Sequence, residues 1–138
     1  MISKFNKHKS VQNNDALNLL TDRIIDACFA VHKTMGPGLS EAIYQACLIK
    51  ELDLQSIEWA SQVHIPIEYK GHLLKNHLVL DLIVENKVII EVKSVSELIP
   101  IHEAQLLTYL KVTGRKVGYL VNFNVTMMKN GIRRMRNG

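Results

Sequence analysis

The chain has 138 residues, a length that carries one domain with a real buried core. Apolar residues make up 47% and charged residues 22%, which excludes a disordered chain, and a formal charge of +4 with a pI near 9.1 suits a polyanionic partner without requiring one. No apolar run reaches the roughly 18 residues that span a bilayer, so no membrane partner is expected, and the polar start MISKFNKHKSVQNN reads as a mobile leader over residues 1–14, ahead of a single cytoplasmic domain over 15–138.

From Asp15 to about Lys33 the apolar residues Leu17, Leu20, Ile24, Ala27, Cys28 and Val31 recur at spacings of three and four, which predicts an amphipathic helix. Met35-Gly36-Pro37-Gly38 ends it, and Ser40 is placed to cap a second helix over 41–52, with Ile43, Cys47, Leu48 and Leu52 as its apolar stripe. Cys28 and Cys47 sit in these apolar patterns with no CxxC partner, so they are expected as packing residues and not as a zinc site.

Residues 62–69 alternate Val63, Ile65 and Ile67 with His64, Pro66 and Glu68, the pattern of a half-buried strand. Pro66 has no N–H to give a ladder, which predicts an edge strand or a bulge. Trp59 stands alone in the preceding connection, and Lys70-Gly71-His72 reads as a turn. Two strand signals follow, 78–84 and 88–95, separated only by Glu85-Asn86-Lys87, so they form an antiparallel hairpin. After Pro100 a helix is expected over 101–113 through Ile101, Leu106 and Leu110, stopped by Gly114, and then a strand over 117–123. The crossover makes that strand parallel to 88–95. The basic end, with Lys129, Arg133, Arg134 and Arg136, carries no clear element; a solvated terminus and a phosphate-gripping tail both fit it.

The chemistry lies in the hairpin. Strands inside a sheet are apolar where they meet a core, yet one carries Asp81 and the next Glu91 and Lys93. With a three-residue loop Val84 faces Val88, and the same register sets Asp81 opposite Glu91, on the face that Lys93 shares. A two-residue loop would scatter the three over both faces. Opposed carboxylates repel unless a positive charge lies between them, and Mg2+ (or Mn2+) takes one or two carboxylates with water and phosphate completing its shell. On geometry alone, a metal pair and a structural ion-pair cluster fit equally.

Asp81, Glu91-Val92-Lys93 and the flanking helices resemble the D-(x)n-E-x-K core of the PD-(D/E)xK nuclease superfamily. Gly38-Leu39-Ser40-Glu41-Ala42-Ile43-Tyr44, Ile101 to Leu110, and Val121-Asn122-Phe123-Asn124-Val125 are similar to the characteristic stretches of the bacterial GxxExxY family within it. The resemblance covers roughly residues 20–133. It implies an α/β, restriction-endonuclease-like core, a mixed sheet flanked by helices in the order α-α-β-β-β-α-β. It also implies Asp81 and Glu91 as metal ligands, Lys93 as the catalytic lysine, and Glu41, Gln105 and Tyr109 as further site residues, with His102 on the Gln105 face. The implied activity is metal-dependent hydrolysis of DNA or RNA, with pairing into a homodimer as a common arrangement; a binding module that keeps the fold without cleavage is the alternative. The sequence departs from the family at Val79 and His77, where an Arg and a Gly are common.

Overall fold

The computed structural model describes the backbone of residues 2–138 and side chains from Asp15 onward; the leader expected over residues 1–14 falls outside the fully described part. Helix α1 (Ile2–Met35) contains the expected amphipathic segment, and Ile24, Ala27, Cys28 and Val31 are buried. Gly36, with φ of 68°, and Gly38, with φ of 102°, turn the chain in the left-handed region that favours glycine. Helix α2 (Glu41–Leu54) begins at the expected cap, where the Ile43 N–H donates to Ser40 Oγ at 3.4 Å. Its buried stripe is Tyr44, Leu48 and Leu52. Ile43, expected inside, is 45% exposed, because the helix is rotated so that Tyr44 stacks on Phe123 with ring centroids 4.7 Å apart.

Five strands form one mixed sheet in the order β1-β2-β3-β4-β5. Strand β1 (Trp59–Tyr69) starts three residues before the expected one, so Trp59 opens a strand and does not stand in a connection; its indole N–H donates to Asp53 Oδ1 at 2.7 Å. Pro66 lies on an edge strand beside a register shift between Pro66 and Glu68, the site that a missing N–H selects. Strand β2 (His72–Val84) follows a two-residue turn and pairs with β3 (Val88–Lys93) in the register Val84↔Val88, Ile83↔Ile89, Leu82↔Ile90. That is the three-residue loop. Helix α3 (Pro100–Thr113) crosses over to β4 (Val117–Asn122), which runs parallel to β3 and directly beside it. Gly114 closes α3 in the left-handed conformation. Ile101, expected in the apolar stripe of this helix, is 64% exposed in its first turn.

The basic end is not a loose terminus. A short 3-10 helix (Met128–Gly131) leads into β5 (Ile132–Arg136), antiparallel to β4. A Cβ built on Gly131 would lie 2.0 Å from the Asn122 carbonyl oxygen, so only glycine allows this approach.

Alternation along the strands divides the core in two. One half, with α1 and α2, takes Leu82, Val84, Val88, Ile90, Val92, Val117, Tyr119 and Val121. The other, under α3, takes Leu80, Ile83, Ile89, Leu98, Leu106, Leu110 and Leu120. Burial holds the Cys28 thiol up at about 12, so it stays protonated and acts as a small hydrophobe. Among the described residues no helix is long and apolar enough to cross a membrane.

Candidate active site

Leu80 and Leu82 are two apart on β2 and should share a face, yet Leu80 packs under α3 and Leu82 against α1 and α2. The strand rotates by one step at Asp81. Across on β1, Gln62 sits at φ of 51° and has no ladder partner, while the β1–β2 pairing resumes on either side at Ser61↔Leu82 and Val63↔Leu80. On the other side the β2–β3 pairs end at Leu82↔Ile90. Asp81 therefore has no register partner in either neighbouring pairing.

Side chains bond the backbone at this point. The Asp81 N–H donates to Glu91 Oε2 at 2.9 Å, and the Val92 N–H donates to Asp81 Oδ2 at 3.0 Å. The Asp81 carbonyl accepts from Gln45 Nε2 at 2.8 Å. Each carboxylate thus fills the gap where the strands part. Asp81 Oδ1 and Glu91 Oε1 take no hydrogen bond among the described residues.

Glu91 is 4% exposed, and burial first, then the charge of Asp81, pushes its carboxyl up to about 8. Burial also raises Asp81, against the opposing pull of the Val92 N–H and Lys93, while Glu41 raises it further. Two buried carboxyls that resist ionisation side by side lack positive charge. Lys93, half-buried two residues after Glu91, offsets part of that deficit. The leftover oxygens, hard donors facing a charge deficit, fit a hard divalent cation. Among the described residues no three His, Cys, Asp or Glu side chains converge into one ligand cluster.

Of the other expected residues, Glu41 reaches the exit of β3, where its Oε1 accepts from the Ser94 N–H at 3.4 Å. Tyr109 is half-buried, and its phenol is raised by burial first and then by the charges of Glu91 and Asp81, which places it within electrostatic reach of both. Gln105 lies one turn before Tyr109 on the same helical face, exposed. His102 does not join them. Its Nδ1 accepts from the Ile99 N–H at 3.1 Å and closes the start of α3. His32 is structural, with Nε2 2.6 Å from the Val125 carbonyl. Tyr44 is fully buried, its hydroxyl donating to the Gly36 carbonyl and accepting from the Leu39 N–H at 3.1 Å, so it anchors the loop before α2.

Two residues escaped the sequence reading. Gln45 is one. Asn122, 2% exposed, is the other: its side chain accepts from the Val95 N–H at 3.1 Å and donates to the Val95 carbonyl at 3.0 Å, tying the exit of β3 to the exit of β4. A buried Asn at the end of an apolar strand was the available signal. At the opposite end of the sheet, Arg115 is held by Asn86, donating to its carbonyl at 3.0 Å and to its Oδ1 at 2.7 Å. Arg133 pairs with Glu103 at 2.6 Å on the surface.

Glu91 and Lys93 lie in the C-terminal half of β3 in the parallel pair β3–β4, the end at which ligands usually bind in open α/β sheets. A family model described as the PD-(D/E)XK nuclease superfamily matches residues 18–135. No curated protein and no solved structure matches the chain.

Proposed function

We propose, since this chain belongs to the PD-(D/E)XK nuclease superfamily, that it hydrolyses phosphodiester bonds of DNA or RNA with Mg2+ or Mn2+ held by Asp81 and Glu91. The observation that carries this reading is that Glu91 accepts the Asp81 N–H and Asp81 accepts the Val92 N–H across β2 and β3, with one oxygen of each carboxylate left over. When bound, the cation would neutralise phosphate charge and acidify a water for attack.

The chain's own groups supply the rest. The Lys93 ammonium follows Glu91 on the same face and orients the attacking water or steadies the charge that develops on the phosphoryl oxygens. The Tyr109 hydroxyl and the Gln105 amide, one helical turn apart, donate to the phosphate or its neighbour. Glu41 holds the Ser94 amide and so keeps the backbone after Lys93 in place. The stretches similar to the GxxExxY family support membership of that narrower group, and with it a cytoplasmic protein whose two copies pair to cut two strands.

The test is cleavage of labelled DNA and RNA with Mg2+ or Mn2+ and with a chelator. Asp81→Asn and Lys93→Ala should each abolish cleavage while leaving nucleic-acid binding intact. Cleavage that survives Asp81→Asn overturns the reading. A second reading, a binding module without catalysis, is favoured by Val79 and His77 in place of the family's Arg and Gly. Binding without cleavage under either metal would select it.

A further inference from the structure

Helix α2 presents two polar side chains to the site. Glu41 and Gln45 are four apart and share a helical face, while Tyr44 and Leu48 face the core. Glu41 reaches the exit of β3, and Gln45 reaches β2. The Gln45 amide is bonded at both ends: Nε2 donates to the Asp81 carbonyl at 2.8 Å, and Oε1 accepts from Gln62 Nε2 at a long 3.5 Å. The Asp81 carbonyl settles which end of the Gln45 amide faces it, because a carbonyl can only accept and an amide oxygen turned toward it would repel it.

This contact occurs where the sheet fails. A residue in the interior of a sheet has its carbonyl held by the next strand. At Asp81 the residue opposite, Gln62, is left-handed and has no register partner. A partly buried carbonyl without a donor is left with its desolvation uncompensated, so a donor there is favoured. Gln45 supplies it from a different element. The same residue then has its N–H on Glu91 and its carboxylate on Val92, so the Gln45 bond anchors the backbone from which that carboxylate projects.

We infer that Gln45 is a positioning residue of the site, its amide holding the Asp81 carbonyl where the β1 register is interrupted and so setting the Asp81 carboxylate between β2 and β3. The role is specific to an amide. Glu at this position would turn an acceptor toward the carbonyl, and Met would fill the space with no donor. The link to metal binding rests on the proposal that Asp81 is a ligand; the geometric claim does not.

The experiment compares the wild-type chain with Gln45→Met and Gln45→Glu, both near-isosteric. In metal-free protein, amide hydrogen exchange at Asp81 and Val92 should quicken by at least roughly tenfold, an order-of-magnitude expectation for the loss of one hydrogen bond, while exchange at Ile90 stays as it was. Unchanged exchange at both amides in folded variants overturns the inference, whatever the site binds. If Mn2+ binds the wild type, its affinity should fall about 10- to 100-fold in both variants, the usual effect of removing a group that orients a ligand. Equal affinity in wild type and variants likewise overturns it. If the wild type takes up no Mn2+, the metal reading falls, and the exchange measurement still decides the role of Gln45. Should either variant not fold, Gln45→Ala is the substitute, because it removes the donor and adds no bulk; it should produce the same change in exchange at Asp81 and Val92, and no change there overturns the inference.

Discussion

Asp81 and Glu91 face each other across β2 and β3, and each carboxylate accepts a backbone N–H from the opposite strand: Asp81 N–H to Glu91 Oε2 at 2.9 Å, Val92 N–H to Asp81 Oδ2 at 3.0 Å. The pair is therefore fixed before any ligand arrives. Its geometry is preorganised, and its charge is not yet balanced.

That imbalance sets a pH dependence. Glu91 has its carboxyl raised by burial and by Asp81 to about 8, above its unfolded value of 4.5. Between these values the folded chain holds a proton that the unfolded chain has released, so the Glu91 contribution to stability falls as pH rises from about 4.5 to about 8 and is lowest above that. Without divalent metal, the melting temperature should decline over this window relative to Glu91→Gln. Added Mg2+ or Mn2+ should restore it most at the alkaline end, where proton competition is weakest. Calorimetry at several pH values checks this; an identical pH profile for Glu91→Gln contradicts it.

Lys93 is the cation nearest in sequence to the pair, and it lowers both carboxyls. Lys93→Met should reduce single-turnover cleavage about 100- to 1,000-fold, the usual effect of losing one stabilising donor, with the far-ultraviolet spectrum unchanged. A drop of less than threefold would remove Lys93 from the chemistry.

Tyr109 and Gln105 should separate from each other. Tyr109→Phe removes a hydroxyl under the influence of Glu91 and Asp81 and should lower kcat about tenfold, in line with loss of one positioned polar group. Exposed Gln105→Ala should act mainly on KM, as expected of a contact to substrate outside the reacting bond. Steady-state kinetics on one oligonucleotide distinguishes these effects from a common loss of stability.

Gly131→Ala should be severely destabilising. The new Cβ would meet a backbone oxygen at 2.0 Å, and neither β4 nor the 3-10 helix can yield without moving β5. A loss of about 3 kcal/mol or more is expected for such overpacking, read as a lower urea midpoint. A midpoint within error of wild type would show that this approach is looser in solution.

Tyr119→Phe should be neutral or stabilising. The Tyr119 hydroxyl is buried with no hydrogen-bond partner among the described residues, so its removal relieves a desolvation cost of about 1–3 kcal/mol. A clear fall in the urea midpoint would mean that the hydroxyl has found a partner in solution.

The helices, the hairpin and its three-residue loop were legible in the sequence, because each depends on neighbours close in the chain. Ser40 caps its own helix, Gly114 ends its own, and the span from Val84 to Val88 decides what faces Asp81. The strand status of the basic end was not legible, since Ile132–Arg136 gains its ladder only from β4, and Arg133 its partner from α3. Nor was the turn of β2 at Asp81. No local pattern announces that Gln62 adopts a left-handed conformation or that Gln45, 36 residues earlier in the chain, supplies the missing donor. Local propensity and alternation thus determined which residues could meet. Where the ladder breaks, and which amide mends it, was decided by packing between elements distant in sequence, because a buried carbonyl must find a donor wherever the fold brings one.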